Sequence, residues 1–253
     1  MITEIRKADG IEQILDGIKP RELEELTIIT PTSNAVQEAL DFMNKMYEEV
    51  KDQHPIKSIQ TIERLCINEE NIPLLTPHEI TAFLPATILY EHKVHYQFIT
   101  GKALTSLIQK SYLAGNNGFV IKAASLPALS YVGDNLKGTP ESPVQISAEI
   151  DLLNYSFRGC EYVECSIDSM GLGGIGSDSH YSHFIINVPT LEQSFSRIKH
   201  CSVRVNGLVQ YGLEGCQDSQ VIIDGELVER EKKYNKFSTG LERTAVSVTG
   251  GVV

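Results

Sequence analysis

The chain has 253 residues, of which 42% are hydrophobic and 22% charged, with 22 Lys+Arg against 33 Asp+Glu and a net charge of −11. That composition belongs to a folded chain able to bury a core. The acidic balance excludes a general binder of nucleic acid or anionic membrane, which needs a basic face. No apolar run approaches the roughly 18 residues of a membrane span. The opening MITEIRKADGIEQILDGIK lacks the apolar core of a signal peptide. The expected location is therefore the cytoplasm or a virion. Five cysteines, none in a CxxC pair, predict reduced and buried thiols rather than a disulfide framework.

The first half reads as helix-rich. Ile11 to Ile18 suggests a short helix and Leu26 to Pro31 a short strand. Ser33 or Thr32 would cap a helix running toward Gln53. Val36, Leu40, Met43, Tyr47 and Val50 form its apolar face, and the helix must stop before Pro55. Ile56 to Ile67 fits either element, and its β-branched density favours a strand. Thr76-Pro77 opens a helix that Pro85 should kink or break. Lys93 to Thr100 alternates and predicts a strand. After Gly101, the residues Leu104, Leu107, Ile108 and Leu113 make a helical face that stops at Gly115. Phe119 to Ala124 is a strand.

The second half changes character. Short β-rich segments recur at Val144–Ile150, Glu161–Ile167, His183–Val188, Cys201–Gly207 and Ser219–Gly225. With Val144, Val163, Ile185, Val203 and Val221 as reference points, the steps are 19, 22, 18 and 18. A period of about 20 residues marks a solenoid. It is too short and too β-branched for a helical hairpin, and it suits the coil of a parallel β-helix. An antiparallel meander would show turn signals about twice as often. Cys160, Cys201 and Cys216 each precede a strand, which predicts that they gather on a corner or an inner wall.

Residues Gly101 to Glu226 resemble a known family. The short helix GKALTSLI (101–108), the turn and strand GNNGFVI (115–121), the link YVGDNLKG (131–138) and the glycines of GLGGIG (171–176) carry the likeness. They resemble the right-handed β-helix domain of the glutamate synthase large subunit, which also occurs in one subunit of formylmethanofuran dehydrogenase. The resemblance implies a spacer and packing surface without catalytic residues. A weaker similarity, in residues 198–225, is to pectate-lyase-like and phage tail-spike β-helices. Asn206-Gly207 and Asp224-Gly225 keep the glycine corners of such folds. The corners at Asn154-Tyr155 and Glu192-Gln193 do not, and they predict a distorted solenoid.

Several groups are candidates for chemistry. His92 and His95 form one HxxH and His180 and His183 another. His180, His183 and His200 with Cys160, Cys165 and Cys201 would make a thiolate and imidazole set suited to zinc. The blander expectation is a ladder of small buried side chains beside exposed histidines. Asp168, Asp178, Asp218 and Asp224 are the carboxylates a glycan-cleaving β-helix would use, but they form no pair and no periodic stripe. GLGGIG is followed by no Lys-Ser/Thr, so it is not a phosphate loop, and no G-x-S-x-G is present. No catalytic residue, metal site or cofactor is expected.

The fold expected is α+β. An α/β region over 1–100 precedes a short right-handed parallel β-helix of about 5–7 coils over 101–228, and a charged linker and apolar tail fill 229–253. Glu229 to Lys236 would cap the solenoid. Glu242 to Val253 would be an intramolecular strand or a strand added to a neighbour. The function expected is that of a structural or scaffolding protein. It would form a homo-oligomer or pack in a larger complex, with the tail as a contact and with neither nucleic acid nor membrane as partner. The alternatives are a glycan-binding or glycan-cleaving β-helix and a non-catalytic subunit of a redox enzyme.

Overall fold

The structure is a computed structural model. It describes residues 33–228 apart from 68, 124–125 and 213–214. The expected helix at 11–18, the strand at 26–31, the cap at 229–236 and the tail at 242–253 lie outside the described residues.

Helix α1 spans Asn34–Val50, and the Ser33 hydroxyl accepts from the Val36 N–H. All five residues of its expected apolar face are buried. Helix α2 covers Pro55–Ile67, where a strand was expected. Ile59, Ile62, Leu65 and Cys66 meet the core while Gln60, Glu63 and Arg64 are exposed. The amphipathic face outweighs the β-branched propensity, which is a weak local preference. Helix α3 runs Pro77–Ala86 behind a capping box of Thr76 and Glu79. It ends one residue after Pro85, and a 3₁₀ turn follows at Thr87–Tyr90.

Helix α4 runs Tyr96–Leu113 and corrects the strand expected at Lys93–Thr100. Tyr96, Phe98 and Thr100 do alternate, but Ile99 and all of Gly101–Ile108 are buried too. A helix buried all round shows no polar stripe from which its period can be read. Gly101 lies inside it because a Cβ there would collide with the Ser130 carbonyl. Between residues 33 and 117 the described regular elements are all helical, and the expected boundary at residue 100 falls inside α4.

From Gly118 onward the chain coils. The strands are β1 (Gly118–Ala123), β2 (Leu129–Ser130), β3 (Val144–Ile150), β4 (Leu152–Asn154), β5 (Val163–Asp168), β6 (Gly171–Gly173), β7 (His183–Ser194), β8 (Ser202–Gly212), β9 (Gln220–Ile223) and β10 (Glu226–Leu227). A first parallel sheet stacks β1, β3, β5, β7, β8 and β9. A second stacks β2, β4, β6 and the C-terminal halves of β7 and β8. Single bridges make a third line through Lys137, Glu161, His180, Lys199 and Gln217. The protein is α+β with a parallel β-solenoid.

Inward columns are apolar. Phe119, Ile146, Cys165, Phe184, Val203 and Val221 form one, and Leu129, Leu153, Leu172, Leu191 and Val209 another. The inward partner of Val203 is Phe184. Ile185, used as a reference point above, faces outward opposite Arg204. Val144 and Val163 also belong to a neighbouring column, and along the single column Ile146, Cys165, Phe184, Val203 and Val221 the steps are 19, 19, 19 and 18.

The corners are regular where glycine is missing. Tyr162, Tyr181, His200 and Asp218 all take the left-handed conformation at one corner, with φ between 47° and 53°. Asn135, Gly159, Asp178, Arg197 and Gly215 do so at another. Contacts between coils replace the glycine preference, so the expected distortion reduces to one register shift between Asn187 and Thr190.

Helix α4 lies along the free edge of the first coil in place of a preceding coil. Thr105 Oγ1 donates to the Tyr131 carbonyl and accepts from the Gly133 N–H. The Gln109 amide both donates to and accepts from the Lys137 backbone. Thr81 of α3 donates to the Val120 carbonyl of β1. Side chains thus satisfy an edge that would otherwise invite pairing. At the far end β10 folds back antiparallel on β9.

Candidate functional site

The densest polar cluster sits where α4 meets the solenoid. Lys102 of α4 is buried, with Nζ 3.5 Å from Asp134 Oδ2 and 3.8 Å from Glu63 Oε1. Arg158, one coil on, holds the same carboxylate through Nη2 at 2.6 Å, Nε at 3.3 Å and its backbone N–H at 3.2 Å. Both cations also stand over the Tyr131 ring, at 5.2 Å and 4.8 Å. Burial pulls the Arg158 guanidinium down, but its bonds to Asp134 outweigh this and hold it firmly charged. Each charge is compensated, and the cluster works as a lock between cap and first coils. Sequence reading missed it because Lys102, Asp134 and Arg158 lie 32 and 24 positions apart.

The outer surface is laddered. Asp168 accepts from Asn187 and Asn187 from Asn206, each at 2.6 Å. Arg197 holds both oxygens of Asp178, at 2.6 and 2.8 Å. Its hydrogen bonds and charge keep the Asp178 carboxyl below the usual carboxylate range. Asp224 accepts from the Gly207 N–H, and Asp218 lies exposed at a corner. Asp178 and Asp218 stand at two different corners, while Asp168 and Asp224 lie in one outward column with Asn187 and Asn206 between them. The Tyr162 and Tyr181 rings stack 5.1 Å apart, and Tyr181 and His200 4.9 Å apart. The facing sides of these rings are covered by one another, and both faces of Tyr181 are occupied. The signal in the sequence was an aromatic or imidazole ring just before β5, β7 and β8, at Tyr162, Tyr181 and His200.

The expected thiol and imidazole set is split by the wall. Cys160, Cys165 and Cys201 are buried inside, whereas His183 and His200 are exposed and His180 half-exposed. Cys160 and Cys216 each precede a bridged residue and share a column, with Ser179 and Ile198 between them. Cys201 lies beside that column, so the expected gathering of Cys160, Cys201 and Cys216 on the inner wall holds without register. Burial drives the Cys160, Cys165 and Cys201 thiols upward, and such thiols are poor nucleophiles and ligands. His92 and His95 lie in the turn before α4. GLGGIG forms β6 and its corner, where Gly174 and Gly176 take positive φ. Among the described residues no group of three or more His, Cys, Asp or Glu is placed to hold a metal ion, and no helix is long and apolar enough to cross a membrane.

The outer face of the second sheet is different. Leu152, Met170 and Leu208 are exposed, the last two by more than half. Leu152, Gly171, Thr190 and Leu208 succeed one another in register, and Gly171 and Gly173 leave the face flat. Glu192 is an exposed charge on that face, and Asp151 stands before it at the turn into β4. No family model, no curated protein and no solved structure matches this chain.

Proposed function

We propose that the chain is a non-catalytic structural or scaffolding protein that self-associates through the outer face of the second sheet. The observation that supports this reading is the exposure of Leu152 and Leu208 in one outward column of the second sheet, with Met170 exposed in the bend before β6. Exposed apolar patches of this kind accompany interaction sites. A rigid wall with its polar groups satisfied by neighbouring coils suits a spacer. The resemblance to β-helix domains that act as packing surfaces agrees with that role.

The test is light scattering of the full chain and of the Met170→Glu, Leu208→Glu double variant over a range of concentrations. A defined oligomer that the double variant reduces to monomers is the expected result. Monomers in both samples would remove self-association, and partner pull-down and glycan screening would follow.

A further inference from the structure

The chain holds two Asn-Gly pairs, Asn117-Gly118 and Asn206-Gly207. Such a pair can react with itself. Glycine has no Cβ to shield its backbone nitrogen, so that nitrogen can attack the carboxamide carbon of the asparagine before it. The fold treats the two pairs in opposite ways.

Asn206 lies inside β8, and its Nδ2 donates to Asn187 Oδ1 on the preceding coil at 2.6 Å. The Gly207 N–H points to the following coil and donates to Asp224 Oδ1 at 2.7 Å. Carboxamide and nucleophile are therefore drawn to opposite neighbours. The backbone there has little room to turn, because Gly207 lies against the Val188 carbonyl. Asn117 stands instead in the link between α4 and β1. Asn117 and Gly118 are both exposed, and nothing lies within 4 Å of a Cβ placed on Gly118. The register of β1 on β3 turns the Gly118 N–H away from β3. The Gln145 N–H donates to the Asn117 carbonyl at 2.6 Å. That bond polarises the peptide and makes the Gly118 N–H a better acid.

We propose that Asn117 is a site of covalent self-modification in the folded protein, converted through a cyclic imide to aspartate and isoaspartate, and that the neighbouring coils protect Asn206 from the same reaction. The Gly118 nitrogen bonds to Asn117 Cγ, the Cγ–Nδ2 bond breaks, and ammonia leaves with the proton that the Gly118 nitrogen gives up. Water then opens the imide at one of its two carbonyls. Opening at Cγ leaves aspartate. Opening at the main-chain carbonyl leaves isoaspartate, in which the chain runs through the former side chain and the carbonyl held by Gln145 becomes a free carboxylate. Either product puts a new negative charge at the entry to the first coil.

The test is peptide mapping by mass spectrometry of the full chain aged at mildly alkaline pH, beside the same chain aged in urea, where both pairs are free to react. The expected result is that native Asn117 converts at close to its unfolded rate, while native Asn206 converts at least about tenfold more slowly than when unfolded. Gly118→Ala should slow conversion at Asn117 and leave Asn206 as it was. Native Asn117 slowed as far as Asn206, or both sites reacting at their unfolded rates, would overturn the proposal. Conversion at Asn117 that Gly118→Ala leaves unchanged would overturn it too, since the Gly118 nitrogen would then not be the attacking group. The readout does not depend on the self-association proposed above.

Discussion

Gly176 and Phe195 occupy equivalent corner positions on successive coils, and the Phe195 ring lies in the space a side chain at 176 would need. Both residues take positive φ, 70° and 50°. Gly133 and Phe157 repeat the arrangement two coils earlier, again with the ring over the glycine. A glycine on one coil gives the room that a phenylalanine on the next fills, and both phenylalanines are fully buried.

Gly176→Ala should therefore lower stability by roughly 2 kcal/mol or more, from steric overlap and from the φ an alanine resists. Gly118→Ala is the control, since nothing lies within 4 Å of a Cβ there. Thermal melts followed by circular dichroism compare the two. Equal melting points would show that the ring is free to move aside.

Asp134→Ala should cost about 3–5 kcal/mol, because it leaves Lys102 and Arg158 facing one another without their shared carboxylate. Urea unfolding of the variant and of Asp134→Ala with Lys102→Met separates lost attraction from stranded charge. Partial recovery in the double variant is the expected outcome.

The Asp178–Arg197 pair gives a pH signature. The folded carboxyl titrates below its unfolded value, so its contribution is fully present above about pH 4, the unfolded range, and is lost as pH falls through the folded value. Arg197→Ala removes that contribution at neutral pH. The stability gap between the two chains should then close on acidification below about pH 4. A gap that stayed constant into acid would show that the pair contributes nothing through charge.

Thiol labelling should proceed in two phases. Cys66 is half-buried and should react first. Cys160, Cys165, Cys201 and Cys216 are buried and should react only as fast as the solenoid opens. Mass spectrometry of the labelled peptides over time would reveal it, and rapid modification of Cys160 in the native chain would contradict the inward placement.

Much of the solenoid was legible in the sequence. VQISAEI matches β3 residue for residue because its alternation is strict and turn residues flank it. Register at β7 was misread because Phe184 and Ile185 are both apolar, and hydrophobicity alone does not say which one faces in. The strands expected at 56–67 and 93–100 failed where β-branched residues serve a helix packed on other helices. The corners were illegible for another reason. The conformations of Tyr181 and Arg197 are supported by residues one coil away, and no local preference encodes a neighbour 19 positions distant. The lock around Asp134 was hidden likewise.

The constant register has an evolutionary reading. Glu164 and His183 hold the same place on successive coils, so joining Val163 directly to His183 removes 19 residues, the spacing of bonded partners, and returns every later side chain to its own column. A loss one residue longer or shorter within a strand would turn its inward faces outward. Insertions and deletions in this lineage should therefore come in whole coils, and the protein can change its reach by counted steps while both ends keep their finish.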